Sequence, residues 1–124
     1  AVAILERERL VERAAQMGLR IGRRLREALS DMPCVGDIRG IGMMWGVEIV
    51  RDKATLTPFP RSAKVTEKLW QALFERGVLL YKSVGLAGND GDGLIISPPF
   101  VINEEEIDLA VQALRDALYE VLTA

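Results

Sequence analysis

The stretch ISPPFVINEEEID, residues 96–108, decides how the chain around it folds. Two adjacent prolines stand between a short apolar run and a helix start. Proline has no N–H to donate and a fixed φ, so Pro98 and Pro99 end ladder pairing in the strand before them and set its exit direction. After them the signals switch. Asn103 is a favoured N-cap, Glu106 lies three residues on in a capping-box arrangement, and Ile102 and Ile107 hold the N′ and N4 positions of a hydrophobic staple. Glu104, Glu105 and Glu106 complement the positive end of the helix dipole. The stripe Ile107, Ala110, Val111, Leu114, Leu118, Val121 and Leu122 carries this helix almost to the last residue. The junction thus delivers a strand end and a helix start to one defined place.

Upstream of it, Leu94–Ile96 reads as a short strand and SVGLAGNDGDG (83–93) as a flexible glycine-rich connection. Val78–Tyr81 reads as a strand short enough to be buried on both faces. Residues 61–76 suit a helix, with Val65, Leu69, Ala72 and Leu73 on one side, Trp70 and Phe74 beside them, and Gly77 at a left-handed C-terminal cap. TLTPFP (55–60) is a loop. In VGDIRGIGMMWGVEIV (35–50), β-branched and apolar residues are interrupted by glycine with no helical stripe, which predicts strands near 35–39 and 43–50 joined by Gly40-Ile41-Gly42. Residues 2–29 form a helix, with Val11, Ala14, Gly18, Ile21, Gly22, Leu25 and Leu29 along one stripe, ended by Ser30-Asp31-Met32-Pro33. The order helix, strand, strand, helix, strand, strand, helix predicts an α/β (α+β) two-layer sandwich, a small mostly antiparallel sheet with helices packed on one face.

A chain of 124 residues is one domain, here residues 1–124. A net charge of −2 gives no argument for nucleic acid or an anionic membrane as partner. The charge is uneven: residues 1–29 carry seven Arg against four Glu, which a solvated helix face explains. Cys34 is the single cysteine, so an intrachain disulfide is impossible and a reducing, cytoplasmic setting is expected. Histidine is absent, which removes the usual zinc sites and Ser-His-Asp or Cys-His catalysis. No apolar run approaches the roughly 20 residues that span a bilayer. The sequence opens inside a helical pattern and reads as a piece of something longer.

GLAGNDGDG (85–93) lacks the dinucleotide fingerprint and the GK[ST] ending, and Asp90 and Asp92 would repel a phosphate. As a calcium loop with Gly93 at the sixth position, it would put Gly88 where an Asp belongs and Pro99 where the bidentate Glu belongs. Of the four lysines, only Lys82, at a strand end, is placed like a site residue, and a solvated lysine explains it as well. Cys34 reads as a small buried hydrophobe. Arg39 suits either a bound carboxylate or a structural pairing with Asp37.

The long Arg/Glu-rich helix, VGDIRGIGMMWGVEIV (35–50), ERGVLLY (75–81) and GDGLIISPPFVINEEEID (91–108) resemble, in this order, the C-terminal small domain of class III (ω-amino-acid type) aminotransferases, fold type I pyridoxal-phosphate enzymes. The resemblance covers essentially the whole chain. It implies a homodimeric parent enzyme that transfers an amino group from an amine or ω-amino acid to a 2-oxo acid. The Schiff-base lysine and the pyridoxal 5'-phosphate site would lie in a large domain before Ala1, so this chain would hold no catalytic residue and be inactive alone. By the same resemblance, the small domain closes the active-site cleft and helps position substrate. Relatives that bind a substrate carboxylate place an Arg at the position of Ile95 or near Gly88, and this chain has none there. Lys82, flanked by the hydroxyls of Tyr81 and Ser83, is the implied substitute. The alternative is a free-standing ligand-binding or regulatory domain derived from such a segment.

Overall fold

The computed structural model describes residues 1–123 as four helices and one sheet. Helix α1 (Val2–Arg7) and helix α2 (Leu10–Leu29) precede a hairpin of β1 (Val35–Ile41) and β2 (Met44–Ile49). A single 3-10 turn (Arg61–Ala63) leads into α3 (Val65–Glu75), then β3 (Tyr81–Ala87), β4 (Asp90–Ile96) and α4 (Glu104–Leu122). The strands lie in the order β1-β2-β4-β3, every neighbouring pair antiparallel, so the sheet is wholly rather than mostly antiparallel. The helices cover one face, with α4 touching both α2, which packs on β1 and β2, and α3, which packs on β3 and β4. The two-layer sandwich is as expected.

The helix start at the double proline forms as read. The Asn103 side chain accepts from the Glu106 N–H at 2.8 Å, while Glu106 accepts from the Asn103 amide rather than from the cap's backbone. Ile107 is buried, and Ile102 packs against the core. Leu25, Leu29, Leu114 and Leu118 are among the fully buried side chains, each worth about 1.5–3 kcal/mol in apolar burial. Gly77 takes a positive φ at the end of α3, as a left-handed cap requires.

Four expectations are corrected. The helix over 2–29 is broken, because Arg9 adopts left-handed geometry between α1 and α2. The helix over 61–76 shortens to α3, because Lys64 also turns left-handed after the 3-10 turn. The first hairpin turns at Gly42-Met43, one step later than expected. The fourth is the largest: residues 83–93 are not a loop but most of a β-hairpin, and Val78–Leu80 lies outside it. Tyr81 is 70% exposed, so this edge is not buried on both faces. The turn is Gly88-Asn89, with Gly88 at φ +71° in the first central position, which suits a type II′ hairpin whose twist matches the strands.

The arginines of the first thirty residues are also more than a solvated face. Arg20 pairs with Glu104 and Arg24 with Asp108 at 3.3 Å, while Arg115 reaches back to Asp31 at 3.0 Å. Residue numbers rise together on both sides of these pairs, so α2, with the turn that follows it, runs parallel to α4 with an ionic seam on the outer side.

Two outcomes test this packing. A Cβ on Gly18 would run into the backbone carbonyl of Gly42, which fixes how closely α2 approaches the first hairpin turn. Overpacking costs about 1–3 kcal/mol, so Gly18→Ala lowers stability in urea titrations, overriding the ~1 kcal/mol that alanine gains in helix propensity. The hydrogen bond from Arg115 holds the Asp31 carboxyl below its ordinary value of 3.8. A folded-state pKa below the unfolded one contributes stability above the unfolded value and loses it as pH falls through the folded value. Asp31→Asn therefore shows a constant deficit in urea midpoint at neutral pH, and the gap to wild type closes as pH drops below 3.8.

Candidate functional site

Strand alternation and the observed register divide the sheet residues between its faces. Trp45, Val47 and Ile49 of β2 point to the helices together with their partners Ile96, Leu94 and Asp92 of β4. The opposite, uncovered face carries Met44, Gly46 and Glu48, then Ile95 and Gly93, flanked by Arg39 and Ile41 of β1. A groove of about 410 Å³ runs along this face, walled by Ile41, Met44, Ile95 and Leu86. Its lining is mainly apolar, with Ile41 86% and Met44 59% exposed.

Arg39 is the cation of that face, and it is already used. It donates to Glu48 at 2.8 Å and to Asp37 at 2.9 Å, and these bonds, Glu48 first, hold its guanidinium above the ordinary arginine pKa. Of the two readings of Arg39, the structural pairing is the one seen.

The three residues singled out around β3 do not come together. Tyr81 pairs with Ile95 and Ser83 with Gly93, so both sit on the open face. Lys82 pairs with Leu94 and points to the helix side at the sheet edge. There its ammonium lies 4.9 Å from the Trp70 ring centroid, a cation–π distance. Trp70 is held by a 3.0 Å bond from its indole N–H to the Leu80 carbonyl and by stacking on Phe74. Among the described residues, no carboxylate lies within ion-pair distance of Lys82.

Two clusters escaped the sequence reading. Asp92 is fully buried, and its Oδ1 accepts from the Thr66 hydroxyl at 2.6 Å, the Thr66 N–H at 3.0 Å and Arg61 at 3.1 Å. Arg61 also pairs with Glu67; burial is the largest influence and pushes the Glu67 carboxyl up, but the Arg61 bond, a backbone bond and the charges of Arg61 and Lys82 together bring the net shift down. This cluster pins the start of α3 to β4. No local signal marks it, because Asp92 sits in a glycine-rich run that imitates a loop. The second cluster is Arg13, which donates to the carbonyls of Phe100 at 2.5 Å and Ile102 at 2.7 Å. It ties α2 to the segment after the two prolines, and in the sequence it looks like any other arginine of a polar face.

The family model for class-III aminotransferases matches residues 1–118. The chain belongs to that family. An uncharacterised aminotransferase of Schizosaccharomyces pombe is 42% identical over 122 residues, covering 98% of this chain and 27% of that protein. An (S)-enantioselective omega-transaminase from Thermomicrobium roseum superposes with a TM-score of 0.86 at 36% identity, over 98% of this chain and 25% of its own. The PMP-bound aminotransferase from Vibrio fluvialis gives 0.84 at 29% identity, over 97% and 25%. This class-III chain therefore spans about a quarter of the length of the relatives it matches.

The residues present do not fit the pyridoxal cofactor of the family. Such a site needs an amine to hold the cofactor, an anion for its ring nitrogen and donors for its phosphate. The groove on the open face is lined by no lysine, and its one cation, Arg39, is already paired with Asp37 and Glu48.

The buried carboxylate is the most exposed to test by mutation. Asp92→Ala leaves the buried N–H and hydroxyl of Thr66 without their acceptor, while Arg61 keeps Glu67, and each unsatisfied buried donor costs about 1–3 kcal/mol. Chemical denaturation of the variant reads this loss directly.

Proposed function

We propose that residues 1–124 are the C-terminal small domain of a pyridoxal-phosphate-dependent aminotransferase whose large, cofactor-binding domain precedes residue 1. The parent moves an amino group from an amine or ω-amino acid to a 2-oxo acid, as a cytoplasmic homodimer. The observation that carries this reading is a family match over nearly the whole chain, in a chain only a quarter as long as its relatives. PMP is the aminated form of pyridoxal phosphate, so the ligand of the Vibrio fluvialis relative supports the same cofactor for the parent. The cofactor supplies the electron sink for proton removal next to nitrogen. The domain described here closes the cleft and helps position substrate, and it is inactive alone.

Within that role we assign the substrate carboxylate to Lys82 alone, since Tyr81 and Ser83 present their hydroxyls on the opposite, open face of the sheet. Support comes from the free ammonium at an exposed strand edge, and from Arg39 being spent on Asp37 and Glu48. A lysine is a point charge without the two-pronged geometry of arginine, so discrimination among carboxylates is loose.

The coding sequence upstream of residue 1 tests the domain assignment; a stop codon followed by a genuine start there removes it. In the full-length enzyme, Lys82→Gln lowers kcat/KM for an ω-amino acid about ten- to a hundredfold, the worth of a charged hydrogen bond of about 1.5–3 kcal/mol, and spares the matching simple amine. Equal kinetics on both substrates return Lys82 to the solvated surface. Equal losses in Tyr81→Phe or Ser83→Ala on the acid alone move the carboxylate contact to the open face.

A further inference from the structure

We infer that the Lys82 ammonium has a second seat within the chain, the unengaged carboxylate oxygen of Glu67, and that Glu67 therefore competes with a substrate carboxylate for it. The competition rests on the proposed role of Lys82; the second seat does not. Helix α3 lies along the edge strand β3 in a fixed alignment. The Thr66 hydroxyl is 3.5 Å from the Ser83 carbonyl, and the Trp70 indole N–H donates to the Leu80 carbonyl at 3.0 Å. Lys82 falls between Leu80 and Ser83 and points to the helix side, so it faces the turn from Thr66 to Trp70. Glu67 and Trp70 stand three positions apart on that turn, a spacing that makes them neighbours on a helix surface. The Trp70 ring centroid lies 4.9 Å from the ammonium, and Glu67 is the carboxylate on the same short stretch of helix.

Charge balance points the same way. Arg61 donates to one oxygen each of Glu67 and Asp92, so a single guanidinium serves two carboxylates and leaves the cluster with excess negative charge. Glu67 Oε2 is buried with no hydrogen-bond partner, and an acceptor in that state carries an unrecovered desolvation cost. Facing the same turn, Lys82 is a cation with no carboxylate within ion-pair distance among the described residues. Burial raises the Glu67 carboxyl, and the charges of Arg61 and Lys82 are among the influences that lower it, so the ammonium is within electrostatic reach. The Glu67 side chain is 42% exposed, and the terminal torsion of a glutamate is broad. A turn of the carboxylate therefore brings Oε2 to the ammonium without moving the helix. Ion pairs at such exposure are weak, so the two seats are close in free energy and Lys82 divides between them. A substrate carboxylate has to draw it from both. Glu67 thereby raises the KM of carboxylate-bearing substrates and leaves simple amines alone.

Trace acetylation of the full-length protein without substrate, read by mass spectrometry, tests the second seat. An ion-paired amine reacts slowly, because the partner charge favours its protonated form. Glu67→Gln keeps an acceptor for Arg61 and is expected to raise the Lys82 rate about two- to fivefold, the range of an exposed pair, with Lys53 unchanged. An unchanged Lys82 rate overturns the inference. In the wild type, the Lys82 rate relative to Lys64 is expected to rise as salt approaches about 1 M, where exposed pairs are screened. A ratio indifferent to salt also overturns it, and this arm decides if the variant does not fold. In the same protein, Glu67→Gln is expected to lower KM for an ω-amino acid about two- to fivefold at constant kcat, to spare the matching amine, and to lose its effect in a Lys82→Gln background. A KM shift that survives in that background overturns the competition, because the packing of α3 then carries it. Acetylation that responds as expected beside unchanged kinetics removes the substrate from Lys82 and leaves the pair with Glu67 standing, so the two failures are distinguishable.

Discussion

A buried carboxylate holds the two halves of this fold together. Asp92 projects from β4 under the first turn of α3, where Thr66 supplies a backbone and a hydroxyl donor and Arg61 supplies a charge. Removing a carboxylate from water costs several kcal/mol, and such a group is kept only where charge-assisted hydrogen bonds replace its hydration. That requirement fixes three things at once: the register of β4, the height of α3 above the sheet, and the path of the proline-bearing loop, whose end Asp90 also anchors through the Arg61 N–H at 2.8 Å. Asp92 Oδ2 remains buried and without a partner, so the arrangement is bought with some unrecovered desolvation.

The same interaction explains what the sequence concealed. Helices were legible wherever an apolar stripe and a cap coincided, as at Asn103 and Gly77, because both signals are local. The hairpin of Tyr81–Ala87 and Asp90–Ile96 was not, since its second strand opens Asp-Gly-Asp-Gly and its first buries almost nothing. A strand of that composition is held by its pairing with β2 and β3 and by Asp92, which finds donors twenty-six positions away at Thr66. The candidate site suffered directly. Reading β3 as ending at Tyr81 left the facing of Lys82 open, whereas pairing with Leu94 sets it to the helix side, away from Tyr81 and Ser83. The breaks at Arg9 and Lys64 were invisible for another reason: left-handed geometry at a charged residue has no sequence signature.

The sheet is an unfinished layer. Three helices cover one side, while the other shows Ile41, Met44 and Leu86 to solvent alongside an arginine already neutralised by two acids. This face carries contiguous exposed apolar side chains and spends its charge internally.

The double proline belongs to the same logic. Pro98 and Pro99 end β4 on the covered side of the sheet, and neither can donate a hydrogen bond. The carbonyls that follow lie between a strand and a helix, where neither ladder nor helix satisfies them. Ile102 N–H returns to the Pro99 carbonyl at 3.1 Å, and Arg13 of α2 takes the carbonyls of Phe100 and Ile102. One guanidinium with several fixed donors can hold two acceptors in a defined orientation, which the single mobile ammonium of a lysine cannot. The rigid junction is therefore built from both ends: proline sets the direction of exit from the sheet, and an arginine eighty-seven positions earlier sets where that exit leads.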